Sequence, residues 1–220
     1  MTDINNLIKL PFWDRLTDSE KELIKSNSMI HKYSKGQLIY NSGTECSGLT
    51  MVLDGELRIR VMSEEGREIT LYRLHENELC ALSASCILSQ ITFDTQTTAT
   101  EDSKVLLINT YTFEKLMNQN IYVRCYMYEL LSERFSSVMW TMQMILFKGY
   151  DRRLASFLIS EYERTGLKTI QMTHEQIAQY TNSAREVVAR MLKRFANEGL
   201  VEFKRGRITL KDISSLQAMV

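Results

Sequence analysis

The spacing of apolar residues changes along this chain, and each change marks a different kind of element. From Ser28 to about Ile108, short apolar or alternating runs recur at residues 37–40, 48–53, 57–61, 68–74, 95–100 and 105–108, divided by turns such as Ser42-Gly43, Asp54-Gly55 and Glu65-Gly66. Short strands separated by glycine-bearing turns predict an antiparallel barrel or a double-sheet roll. Just ahead of them, Leu16-Thr17-Asp18-Ser19-Glu20 places a glutamate three residues after a threonine, a capping box that opens a short helix toward Lys25.

Residues 112–147 contain neither glycine nor proline, and Val123, Met127, Leu130 or Leu131, Val138, Met142 and Ile145 recur at near-heptad steps. One long helix is predicted. A helix of ~30 residues spans ~45 Å, more than one small domain needs, so the stripe reads as a seam between two copies of the chain. The plainer alternative is a stripe packed on its own barrel. Gly149, within Lys148-Gly149-Tyr150-Asp151, interrupts the pattern and marks a hinge.

Residues 173–199 predict two helices joined by a tight turn. Thr173 with Gln176 forms a second capping box, and Ile177 and Ala178 supply the inward side of a short helix. Thr181-Asn182-Ser183 breaks the pattern, and asparagine tolerates the left-handed backbone a sharp turn needs. In the second helix, from about Ala184 to Asn197, Val188, Met191, Leu192 and Phe195 form one buried stripe. Arg185, Glu186, Ala189, Arg190 and Lys193 fall on the other side, and Gly199 is a suitable stop. Residues 201–210 alternate around Arg205-Gly206, a hairpin signal that makes a wing beside the helices.

This is a device for putting side chains into the DNA major groove, where the N-terminal end of the second helix enters first. Arg185 suits a guanine and Glu186 a cytosine N4, while Arg190 reaches another base. Lys193 suits a phosphate, which positions the protein without reading sequence. Lys204, Arg205 and Arg207 on the wing lie where a phosphate backbone would pass. The candidate DNA-contacting residues are therefore Thr173, Ser183, Arg185, Glu186, Arg190, Lys193, Lys204 and Arg205. The alternative is an ordinary solvated helix face.

At 220 residues and 44% hydrophobic content, the chain can build two modest domains with real cores. A formal net charge of +0 argues, taken alone, against a nucleic-acid partner. Its distribution argues the other way: Lys148 to Val220 hold 13 Lys+Arg against 8 Asp+Glu, leaving 14 against 19 in the remainder. A basic part joined to an acidic part suits a DNA reader attached to a sensory domain. Asp3 and Asn5-Asn6 interrupt any cleavable signal, and no apolar run nears the ~18 residues of a membrane span. A cytoplasmic protein with no membrane partner is expected, and with it reduced Cys46, Cys80, Cys86 and Cys125.

The C-terminal segment resembles, without a gap, the DNA-binding domain of the Crp–Fnr superfamily of bacterial regulators. Its R-E-x-x-x-R pattern, Arg185, Glu186 and Arg190, is similar to the cyclic-AMP receptor protein branch. The oxygen-sensing Fnr branch has E-x-x-S-R, and here Ala189 replaces that serine. The resemblance implies a half-site like TGTGA rather than TTGAT. Ala184 departs from the serine usual before the arginine, which puts one phosphate contact or cap in doubt. The strand-rich part resembles the superfamily's cyclic-nucleotide-binding roll, with glycines near Gly36, Gly43, Gly55 and Gly66.

The resemblance covers essentially the whole chain and implies an α+β fold. Residues 1–111 would form an effector-sensing antiparallel β-roll of the cyclic-nucleotide-binding jelly-roll type, residues 112–148 a long dimerisation helix and hinge, and residues 149–220 a winged helix-turn-helix. It also implies a homodimer on double-stranded DNA, acting with RNA polymerase. A two-fold dimer sets its reading helices about one turn, ~34 Å, apart, and so binds a near-palindrome. An effector that alters the hinge or the helix pairing would change that separation.

The effector is less legible. Where cyclic-nucleotide binders carry Gly-Glu-Leu and then Arg-Ser or Arg-Thr, this chain has Asn77, Glu78, Leu79, Cys80, Ala81, Leu82, Ser83, Ala84, Ser85 and Cys86. No arginine stands between Arg73 and Arg124, so a cyclic phosphate lacks its bidentate partner, which argues against cyclic AMP or GMP. Backbone N–H groups with Ser83 or Ser85 can still hold an anion. The absence of a cysteine before Cys46 argues against an Fnr-type cluster, which needs four thiolates.

The superfamily's haem-dependent carbon monoxide sensors carry a cysteine near the Cys80 position and a ligand histidine two residues on. Here that place is Leu82, and His75 is out of register, so the cofactor choice stays between haem on Cys80 and none. Cys80 and Cys86 also read as a thiol switch, or as two small buried residues. The candidate effector-binding residues are Glu78, Cys80, Leu82, Ser83, Ser85 and Cys86. His31, His75 and His174 have no metal spacing, and His174 is expected to be exposed. Cys80 with His75 is the one nucleophile hint, without a third orienting residue or a phosphate-binding or hydrolase motif, so no enzyme is expected. A DNA-binding dimer that needs no effector is the third reading.

Overall fold

The structure, a computed structural model, describes residues 4–41, 48–80 and 95–220. The chain divides into two compact units, Met1–Arg67 with Leu71–Val138, and Met139–Val220 with the short stretch Glu68–Thr70.

The first unit opens with α1 (Ile4–Leu7), a 3-10 turn over Trp13–Arg15, and α2 (Asp18–Ser26). The capping box forms: the Glu20 N–H donates to Thr17 Oγ1 at 3.4 Å and the Thr17 N–H to Glu20 Oε2 at 2.8 Å. Among the described residues eight strands follow: β1 (Ser28–Tyr33), β2 (Leu38–Asn41), β3 (Leu49–Asp54), β4 (Leu57–Met62), β5 (Glu68–Leu74), β6 (Leu79–Cys80), β7 (Gln96–Ala99) and β8 (Ser103–Ile108). They make two four-stranded antiparallel sheets, ordered β1-β8-β3-β6 and β2-β7-β4-β5, which is the double-sheet roll the turn spacing predicts.

β1 and β6 lie outside the runs read from sequence. β1 is an edge strand that exposes Met29 and Ile30, so its pattern carries no clean alternation, and β6 has two residues. Gly48 is demanded by packing, since a Cβ there would collide with the Ile108 carbonyl, and its φ is +102°. Between the sheets, Val52, Leu57, Ile59, Leu71, Tyr72, Leu74, Cys80, Ala99 and Val105 form one core cluster.

The single helix expected over residues 112–147 is two: α3 (Thr110–Gln119) and α4 (Ile121–Phe147). Asn120 breaks it with an extended backbone. Its Oδ1 accepts from the N–H groups of Tyr122 at 3.0 Å and Val123 at 3.3 Å, which starts α4. Its Nδ2 donates to the Glu20 carboxylate at 3.0 Å and to the Arg15 carbonyl at 3.1 Å, which ties that start to the N-terminal segment.

The expected apolar stripe also divides. Val123, Met127 and Leu130 are buried against the roll with Phe113 and Leu116 of α3, and Val138 leans on the cluster between the sheets. Tyr128, Phe135, Met139, Met142 and Leu146 are exposed instead, Phe135 at 68% and Leu146 at 66%. Their steps of seven, four, three and four residues keep them on one side of the helix. The helix therefore carries two apolar faces, one covered by its own roll.

The second unit contains α5 (Tyr150–Thr165), β9 (Thr169–Ile170), α6 (His174–Tyr180), α7 (Arg185–Asn197), β10 (Val201–Lys204), β11 (Arg207–Leu210) and α8 (Ile213–Ala218). The sheet order is β10-β11-β9. Leu154, Leu158, Ile177, Val188, Leu192, Phe195, Ile208, Leu210 and Leu216 form its core. No helix among the described residues is long and apolar enough to cross a membrane.

Candidate nucleic-acid interface

Two helices and a hairpin frame the basic face of the second unit. α6 begins at its capping box, with the Gln176 N–H donating to Thr173 Oγ1 at 3.2 Å and the Thr173 N–H to Gln176 Oε1 at 2.9 Å. The turn to α7 passes through Asn182 at φ +51°, the left-handed position asparagine supports, and closes with the Ser183 N–H donating to the Ala178 carbonyl at 2.9 Å. Thr181 Oγ1 donates back to the Ile177 carbonyl at 2.7 Å. The geometry of the turn is thereby set by its own residues first.

α5 adds a second layer of control. The Tyr150 hydroxyl lies 3.0 Å from Thr181 Oγ1, and Arg153 donates to the carbonyls of Thr181 at 3.4 Å and Asn182 at 3.3 Å while stacking 5.3 Å from the Tyr150 ring. Burial raises the Tyr150 phenol above its usual range against the opposing pull of Thr181, Arg153 and Ser183, so at neutral pH it is a neutral hydroxyl. Tyr150 and Arg153 were not readable as site residues, because their partners lie 31 and 28–29 residues further along the chain.

α7 buries Val188, Leu192 and Phe195 and presents Arg185, Glu186, Arg190 and Lys193 to solvent, the division expected from sequence. Ala184 stands at the N-cap and makes no side-chain cap. The first-turn N–H groups are thus free of a competing cap oxygen, and a helix N-terminus of this kind accepts phosphate. The wing hairpin forms around Gly206 at φ +73°, with Lys204 paired to Arg207 across the strands. Phe203 packs edge-on to His174 with ring centroids 6.0 Å apart, so His174 is half-buried rather than simply exposed.

Thr173, His174, Glu175, Arg185, Arg205 and Gly206 line an open concavity of about 440 Å³. It brings together three of the predicted residues, one each from the cap of α6, the start of α7 and the wing. Lys204 is engaged by Glu202 at 3.6 Å, and Glu202 also meets Lys211 at 2.9 Å, which holds its carboxyl below the usual value. Among the described residues no carboxylate pairs with Arg185, Arg190, Lys193, Arg205 or Arg207. Ser183 is half-buried and serves the turn.

In the first unit, Glu78 accepts the His75 N–H at 2.9 Å and faces Arg134 of α4 at 3.7 Å. Asn77, where the resembled family has glycine, takes the same left-handed backbone at φ +67°. Cys80 ends β6 opposite Thr50 and is 1% exposed, so its thiol lies in the core between the sheets rather than at a surface open to oxidants. Leu82, Ser83, Ser85 and Cys86, and the Ser42-Gly43 turn, lie outside the described residues. No group of three or more histidine, cysteine, aspartate or glutamate residues able to hold a metal occurs among the described residues.

Residues 152–219 match the family model for a Crp-like helix-turn-helix domain, and residues 30–120 that for a cyclic nucleotide-binding domain. The chain is similar to a crystal structure from Eubacterium rectale described as a transcriptional regulator of the Crp/Fnr family. The two share 40% identity at a TM-score of 0.87, over 96% of this chain and 98% of the other. The cyclic AMP receptor protein of Thermus thermophilus is 24% identical, over 94% of this chain and 95% of its own length. The fumarate and nitrate reduction regulatory protein of Salmonella typhi is 25% identical, over 92% and 84%.

Proposed function

We propose that this chain, which belongs to the Crp/Fnr family of transcription regulators, binds a palindromic operator as a homodimer under the control of an effector held by the roll. The family carries a helix-turn-helix for DNA and regulates transcription, which points away from catalysis. The observation that carries the finer reading is the open concavity where Arg185 at the start of α7 meets Arg205 of the wing, with Glu186, Arg190 and Lys193 continuing the exposed face of the same helix.

In this reading Arg185 and Glu186 address a G·C pair, Arg190 a further base, and Lys193, Arg205 and the N–H groups at Ala184 the phosphates. The exposed face of α4, Tyr128 to Leu146, supports a second copy as the partner, since exposed apolar residues at heptad-like steps pair best with themselves. RNA polymerase is the further partner and the cytoplasm the compartment. The burial of Cys80 favours a packing role over haem or thiol chemistry there.

The test is a fluorescence-anisotropy titration of the full chain on a TGTGA palindrome, on a scrambled duplex of equal length, and on a TTGAT palindrome. Preference for TGTGA at a stoichiometry of two chains per duplex is expected. Equal affinity for all three duplexes would overturn the base-reading assignment.

A further inference from the structure

We propose that His174 contacts a phosphate of the bound duplex and takes up a proton as it does so, which makes DNA affinity fall as pH rises. This rests on the reading of the second unit as a DNA interface and adds to it a further contact residue and the condition that regulates it.

His174 is the first residue of α6, and with Arg185 of α7 and Arg205 and Gly206 of the wing it lines the open concavity. Its ring is held in place there. Phe203 of β10 meets it edge-on at 6.0 Å between centroids, and the ring is half-buried. The imidazole thus rests on the wing and borders the space a phosphate backbone would enter. A side chain already packed in this way loses less freedom on binding than the exposed Arg185 and Arg205 that share the concavity. Among the described residues no carboxylate pairs with the imidazole.

The charges around it suit an anion. Glu175 is the one carboxylate among the lining residues, against Arg185 and Arg205. Of the other groups on the framing elements, Glu186 stands in the first turn of α7. On the wing, Glu202 is engaged by Lys204 at 3.6 Å and by Lys211 at 2.9 Å, and Arg207 is exposed. The lining therefore carries one net positive charge with the imidazole neutral and two with it protonated. Histidine is the side chain that exchanges its proton near neutral pH.

A phosphate entering the concavity supplies the negative charge that favours the protonated ring, so binding and protonation promote each other. The complex then holds more protons than the free partners, and affinity is gained as pH falls and lost as pH climbs. A phosphate contact reads no sequence. The pH response is therefore common to all duplexes, which separates it from base reading by Arg185 and Glu186.

The test is fluorescence anisotropy of the full chain on the TGTGA palindrome and on the scrambled duplex, at constant ionic strength, from about pH 6 to about pH 8. Affinity for both duplexes is expected to fall about tenfold or more over that range, one unit of pKa change in the complex being worth a factor of ten. His174→Gln keeps a neutral polar group and is expected to bind as the parent does at the alkaline end, with a flattened pH profile. His174→Arg places a permanent charge there and is expected to keep high affinity at the alkaline end. A pH profile that survives His174→Gln, or one confined to the palindrome, would overturn the proposal. Failure to bind either duplex would overturn it together with the DNA reading. A His174-dependent pH response on both duplexes without sequence preference would support it and remove the base-reading assignment alone.

Discussion

The Tyr150 hydroxyl stands 3.0 Å from Thr181 Oγ1, joining the first turn of α5 to the residue that ends α6. The turn that aims α7 is thus braced from a helix outside the two-helix motif. Tyr150→Phe removes one hydrogen bond and leaves the Thr181 bond to the Ile177 carbonyl intact. A loss of about 0.5–1.5 kcal/mol in stability is expected by chemical denaturation, with a modest loss of operator affinity. Unchanged stability would show that the brace carries no energy.

Arg185 and Lys193 are both exposed on α7 but are assigned different tasks. Arg185→Ala is expected to cost about 1–3 kcal/mol per half-site and to relax choice at one guanine. Lys193→Ala should weaken binding to all duplexes alike and lower the slope of log affinity against log salt by about one. Titrations on matched and single-substituted operators at several salt concentrations separate the two. An equal loss on specific and random DNA for Arg185→Ala would remove its base-reading role.

Phe135 lies centrally on the exposed face of α4 at 68% exposure, so a charge there meets no partner within one protomer. Phe135→Glu should leave the fold intact while placing two like charges across the helix pair of the proposed dimer. Sedimentation equilibrium is expected to shift from dimer to monomer, with circular dichroism unchanged. A variant that remains dimeric would move the interface off this face.

Asn120 caps α4 and bonds the Glu20 carboxylate at 3.0 Å. Asn120→Ala should therefore cost about 1–2 kcal/mol. Burial works to raise the Glu20 carboxyl, but bonds from Thr17 and Asn120 outweigh it and hold the group below its ordinary value. A lowered folded value gives stability that is present above the ordinary glutamate range and is lost as pH falls through the folded value. Acid denaturation should begin at a higher pH in Asn120→Ala than in the parent.

Local devices were the legible ones. Both capping boxes, the left-handed Asn182, the wing turn at Gly206 and the two-sided burial of α7 follow from residues within a few positions of each other, and all form as read. The break at Asn120 was hidden because its reasons, Glu20 and Arg15, lie 100 and 105 residues away. A continuous run of helix formers looks the same with or without such partners. Likewise one apolar stripe could not be divided into a roll-facing and a solvent-facing set until the roll was in place. In the roll the motif residues are those of a resembled pocket, whereas Tyr72 and Arg134 belong to no motif and meet only through the packing of α4 on the roll.

The bonds of Asn120 give α4 a fixed end. Glu20 and Arg15 pin the first turn, while the helix runs on for 27 residues. At 1.5 Å per residue that is an arm of about 40 Å, so a tilt of about 5° at the pinned end sweeps Phe147 through about 3.5 Å. Val123, Met127, Leu130 and Val138 hold most of that length against the roll.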